Sequence, residues 1–128
     1  MMDWDIEAPG LDRYFRKYSD LANRGGLIHL LSDASIHRKN EWEPFIQSIV
    51  IDGHASLSML TSGDNGQHYS DLMQDFSWPR FFKAKKGGKI LDRWRNEGKA
   101  KFDFILIDSR TGLTDVGGAF VLYFCLTS

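Results

Sequence analysis

Apolar and polar positions alternate along this chain in short blocks, and each block predicts an element. Residues 104–107 (Phe104, Ile105, Leu106, Ile107) form an uninterrupted apolar run, the pattern of a strand covered on both faces in a parallel α/β sheet. Two further runs, 46–51 and 55–61, flank Asp52-Gly53-His54 and read as a hairpin. The second of them also fits a parallel strand over 57–60 that ends in the loop Thr61-Ser62-Gly63-Asp64. Helical spacing carries Leu11, Tyr14, Phe15, Tyr18 and Leu21, predicted as a core-facing stripe that Gly25-Gly26 ends. It also carries Leu27, Leu30, Leu31 and Ala34, and then Tyr69, Leu72, Met73 and Phe76. Pro79 starts a helix through Phe81 and Phe82. Lys86-Gly87-Gly88-Lys89 opens another, through Ile90, Leu91 and Trp94, with Gly98 expected to close it. Pro44 limits a turn that Asn40 could cap and that carries Trp42 and Phe45. Residues 119–126 (AFVLYFCL) are almost wholly apolar and β-prone.

The candidate chemistry lies where the strands end. Asp108 follows the 104–107 run, so it emerges at a carboxyl strand end, where open α/β sheets bind ligands. Ser109, Arg110, Thr111 and Gly112 come next. An acid before a small glycine-containing turn suits a Mg²⁺–phosphate site, because the acid holds the metal's water shell and glycine lets a backbone N–H approach phosphate. Asp3 and Asp5, two residues apart near the start, would share one face of a strand. Ser62 and Gly63 are further candidate neighbours of a ligand.

These stretches resemble a known family. Residues 102–118, FDFILIDSRTGLTDVGG, look like the Walker B and switch II region of ParA/MinD-type P-loop ATPases, in particular the bacterial branch with "LIDSRTG". Residues 2–11, with Asp3, Asp5 and Glu7-Ala8-Pro9-Gly10-Leu11, resemble the switch I region of the same branch, and the two motifs stand in the family's order. The resemblance covers most of residues 2–118. It implies a three-layer α/β/α partial Rossmann-like sheet, mainly parallel, in one domain over 1–128, with strands near 2–6 and 103–108 adjacent. It also implies ATP hydrolysis with Mg²⁺ in a nucleotide-sandwiched homodimer. Asp5 would orient the attacking water with Asp3 as its partner. Asp108 would hold the Mg²⁺ shell, and Ser109 and Gly112 would contact phosphate, with Arg110, Thr111 and Asp115 beside them.

The family's phosphate loop does not occur in the 128 residues. Lys86-Gly87-Gly88-Lys89 resembles the start of a deviant Walker A motif but lacks the second glycine, the Lys-Ser/Thr pair and a preceding strand. The expectation is a domain truncated at both ends, with the 119–128 tail diverging from the family and the chain inactive alone. The alternative is a non-catalytic interaction module that pairs with a full-length relative through an exposed sheet edge.

Composition narrows the remaining classes. A formal charge of −1 gives no global field favouring nucleic acid or an anionic membrane. Lys83, Lys85, Lys86 and Lys89 cluster beside Trp78, Phe81 and Phe82, which reads as a solvated helix end. No apolar run reaches the ~18–20 residues of a membrane span. With no signal peptide and a single cysteine, Cys125, the expectation is a cytoplasmic protein. His29 and His37 lack the i, i+4 spacing of a zinc helix and are expected to be structural or superficial. Ser109 has no G-x-S-x-G elbow, and no G-x-G-x-x-G occurs.

Overall fold

A computed structural model describes residues 1–18, 25–33, 38–39, 41–53, 55–64 and 66–110. Among them the chain is mixed α/β, with five α-helices and small parallel and antiparallel sheets. Strand β1 (Met2–Asp3) pairs in parallel with β4 (Ile107–Asp108), in the register Met2↔Ile107 and Asp3↔Asp108. Strands β2 (Gln47–Ile51) and β3 (Ala55–Met59) form an antiparallel hairpin. Its turn has φ of 48° at Asp52 and 73° at Gly53, two successive left-handed residues that match the strands' twist.

The 55–61 run takes the hairpin reading, and of the parallel strand expected over 57–60 only a single bridge at Leu60 is formed. After pairing with β2, the chain makes a parallel bridge from Leu60 to Met2. Asp3 N–H donates to Leu60 C=O (2.9 Å), and Leu60 N–H to Met1 C=O (2.9 Å). On the other side of β1, Met2 N–H donates to Leu106 C=O (2.8 Å) and Trp4 N–H to Asp108 C=O (2.7 Å). Asp3 and Asp108 therefore leave the sheet side by side, with Thr61 and Ser62 following on β1's other flank.

The core gathers Trp4, Ile6, Leu27, Ile28, Leu30, Leu31, Trp42, Leu60, Phe81, Ile90, Leu91 and Trp94. Helix α2 (Leu27–Ser32) supplies four buried residues. Its start is tied to the loop after Leu60: Leu27 N–H donates to Thr61 C=O (2.8 Å) and Ile28 N–H to Ser62 C=O (2.9 Å). Gly26 permits this approach, since a Cβ there would stand 2.6 Å from Gly63 N. Helices α3 (Gln67–Asp75), α4 (Trp78–Ala84) and α5 (Gly87–Lys101) follow, with Pro79 in the first turn of α4. Trp78 stacks on Trp4 with ring centroids 5.9 Å apart, and Phe76, Phe81 and Phe82 surround it.

Four expectations change. The 104–107 run is not covered on both faces: Phe104 is 87% exposed and Leu106 65%, while Ile105 and Ile107 turn inward. The run alternates because α5 covers one face only. Helix α1 spans Leu11–Phe15, and its stripe does not enter the core, with Tyr14 76% exposed. Too few turns follow Pro9-Gly10 here to press that face on the sheet, and residues 19–24 lie outside the described ones. Gly98 does not close α5, which runs on to Lys101. Gly98 is instead where Ile105 packs, as a Cβ there would stand 2.9 Å from Ile105 Cδ1. Lys85 is not merely solvated: its ammonium donates to the carbonyls of Leu31 (3.3 Å), Ser32 (2.7 Å) and Asp33 (3.1 Å), closing the end of α2. Lys83, Lys86 and Lys89 are exposed. The Lys86-Gly87-Gly88-Lys89 segment is the start of α5, with Lys86 as left-handed N-cap (φ 52°). No described helix is long and apolar enough to cross a membrane.

Candidate functional site

The candidate site is the rim formed by the carboxyl ends of β1 and β4 and by the loop after Leu60. Asp3 is fully buried. Its Oδ1 accepts from Asp5 N–H (3.2 Å) and its Oδ2 from Leu11 N–H (3.2 Å), and Gly10 N–H also faces it. Burial raises its pKa to about 6, with Asp108 pushing the same way and the backbone N–H groups opposing. Asp3 thus folds the 5–11 loop back over the strand end. Asp5 is half-buried, and its Oδ1 accepts from Ala8 N–H (3.1 Å), which tightens the turn before Pro9. Asp108 is exposed, beside Asp3 in the register, and Ser109 is half-buried. Arg110 pairs with Glu7, joining the segment after β4 to the loop after β1. Both partners are half-exposed, so the pair stabilises by at most ~1 kcal/mol.

Two residues complete the rim from elements distant in sequence. Ser62 is buried, and its hydroxyl donates to the phenol oxygen of Tyr69 on α3. Tyr69 O–H in turn donates to Ile6 C=O. Burial raises the Tyr69 pKa to about 12, and Asp3 and Asp5 add to the rise. The ring lies over Gly63 (φ 146°), where a Cβ would stand 2.8 Å from two ring carbons. Spacing alone placed Tyr69 on an apolar helix face and carried no sign of this clamp; its only signal was the hydroxyl, which needs a partner once buried.

Asp3, Asp5, Ser62, Gly63, Asp108 and Ser109 are therefore gathered at one end of the sheet. Gly112, Thr111 and Asp115 lie outside the described residues, as does His37. His29 belongs to another cluster: its Nδ1 accepts from Gly26 N–H (3.1 Å), and its Nε2 is 3.9 Å from Asp64. Desolvation lowers its pKa.

The rim fits one part of the expected ligand and not the other. Mg²⁺ keeps most of its waters and needs only one or two carboxylates, which the exposed Asp108 can offer. Among the described residues no group of three or more His, Cys, Asp or Glu side chains surrounds a metal position. A triphosphate needs converging N–H groups and a lysine. Five N–H groups at the rim are already engaged: Asp5 and Leu11 on Asp3, Ala8 on Asp5, Leu27 and Ile28 on the carbonyls of Thr61 and Ser62. Comparison with family models, with curated proteins and with solved structures gives no match to this chain.

Proposed function

We propose that this chain is the switch I–Walker B portion of a ParA/MinD-type ATPase domain, with a three-layer α/β/α sheet once the remaining strands are in place. What supports the reading is the parallel register of β1 with β4, which brings Asp3 and Asp108, 105 positions apart, to the same rim, in the order the two motifs imply. In this reading Asp108 holds the water shell of Mg²⁺. Asp5 orients the attacking water, and Asp3 acts through Asp5 by fixing the loop that carries it. Ser109 and Gly112 face the phosphates. Mg²⁺, when bound, neutralises phosphate charge.

These 128 residues do not bind ATP tightly by themselves. Catalysis of phosphoryl transfer is mostly positioning and charge compensation, and the phosphate loop supplies both. Without it, Asp3, Asp5 and Asp108 repel a triphosphate; one unit-charge pair at ~4 Å costs about 4 kcal/mol at an effective dielectric of ~20. Calorimetry with Mg²⁺-ATP should show no saturable micromolar binding to the chain alone. A chain extended before Met1 by a family strand, phosphate loop and helix should gain that binding, and Asp108→Asn should weaken it at least tenfold. A folded extended chain that stays inert would overturn the reading.

A further inference from the structure

His29 is held in one protonation state by its neighbours. It is the third residue of α2, and its Nδ1 accepts from the N–H of Gly26, the residue before the helix (3.1 Å). A Glu or Gln takes that place in a capping box, reaching back to the amide that precedes the helix. A ring nitrogen that accepts carries no proton, so the imidazole is neutral with its hydrogen on Nε2. That Nε2 is 3.9 Å from Asp64 Oδ1, in the loop after Leu60. His68 of α3 lies beside the ring, with centroids 5.4 Å apart, and Phe45 stacks on it at 6.5 Å. The ring also closes over Gly25 (φ 76°), where a Cβ would stand 3.1 Å from His29 Cγ and from Phe45 Cε1. The Gly25-Gly26 turn leads directly into Leu27 and Ile28, whose N–H groups reach the carbonyls of Thr61 and Ser62.

We propose that His29 is an acid-sensitive latch: its neutral ring holds the Gly25-Gly26 turn and the start of α2 against the loop Thr61–Asp64, and its protonation releases them. Both nitrogens of an imidazolium donate, so Nδ1–H would confront Gly26 N–H with no acceptor between them. A cation in the first turn of a helix also faces the positive end of the helix dipole. Asp64 and His68 are the titratable groups that face the ring from the described elements packed on it. Burial opposes the charge most, Asp64 favours it and His68 opposes it, and the net direction is down from the ordinary value of 6.5. A base whose pKa is lowered by folding lends stability above its ordinary value, and that stability is lost as pH falls from there through the folded value. Ser62 and Gly63 of the candidate rim lie in the latched loop, so the rim loosens on acidification. The latch follows from the fold and is independent of the nucleotide reading.

Two measurements test the latch. Long-range nitrogen–proton spectra of the isotopically labelled native chain at pH 7.5 should show His29 with its proton on Nε2; a proton on Nδ1 would overturn the proposal, and this readout needs no variant. Amide exchange, corrected for its intrinsic pH dependence, should then show Leu27 and Ile28 losing protection as pH falls from 7.5 to 5.0. At pH 5.0 an ordinary imidazole is ~30-fold more protonated than not, which caps the effect, and a loss of about threefold or more is expected. His29→Asn puts an amide oxygen where Nδ1 stands and cannot titrate, while Asp3 and His68 titrate as before. Protection in this variant should hold across the range. A loss in the native chain no greater than the variant's would assign the pH response to other groups and overturn the proposal.

Discussion

Replacing Asp3 with Asn tests the rim through its most buried charge. Asp3 is fully buried, and its carboxyl titrates near 6 in the fold against 3.8 when free. A carboxyl whose folded pKa is raised binds its proton more tightly in the native state. Stability from this group is therefore highest at low pH and falls as pH rises through the interval between the two values. For that shift, the native state loses about 2 kcal/mol between pH 4.5 and 7.5 from Asp3 alone. Asn cannot titrate, so the other carboxylates cancel in the comparison. The pH-independent effect of Asn, whose amide donor faces a backbone N–H, appears only as a constant offset. Urea unfolding of both proteins across this range should show the stability difference moving by about 2 kcal/mol in favour of Asn as pH rises. A difference constant to within ~0.5 kcal/mol would mean an ordinary, hydrated carboxyl, and a rim that is not closed by the 5–11 loop.

Three further outcomes test the surrounding framework. Tyr69→Phe should cost about 1–2 kcal/mol in urea unfolding, because Ile6 C=O loses its donor and the Ser62 hydroxyl its acceptor; an unchanged midpoint would remove the clamp. Gly26→Ala should cost about 1–3 kcal/mol, since the new methyl meets the backbone of Thr61 and Gly63, which cannot move aside as a side chain could. Lys85→Met should lower stability by about 1 kcal/mol and speed amide exchange in the last turn of α2, where three carbonyls lose their cation.

The sequence was most legible where local rules agreed with the fold. Asp52-Gly53-His54 read as a hairpin turn between two strands, and β2 and β3 pair across it. Pro79 and Lys86-Gly87 opened helices α4 and α5 as expected. The adjacency of β1 and β4 was legible only through the two motifs, because a two-residue strand such as Met2–Asp3 has no periodicity of its own. What could not be read was tertiary. The 104–107 run looks the same whether one face or both are covered, and only the placement of α5 decides it. Lys85 sits in a lysine cluster by sequence, but across the fold it meets the end of α2, more than 50 residues earlier. Asp3 and Asp5 are identical in type and two residues apart, yet one is buried beneath a loop and the other helps to build it.

The claim that the two acidic segments share one rim is tested most directly by hydrogen-bond scalar couplings in the isotopically labelled chain. The parallel register requires a coupling from Trp4 N–H to the carbonyl carbon of Asp108, and another from Met2 N–H to that of Leu106. Both should be seen, with inter-strand proton contacts in the parallel pattern. Coupling of the Trp4 amide to any other carbonyl, or contacts in the antiparallel pattern, would place Asp3 and Asp108 apart and contradict the account.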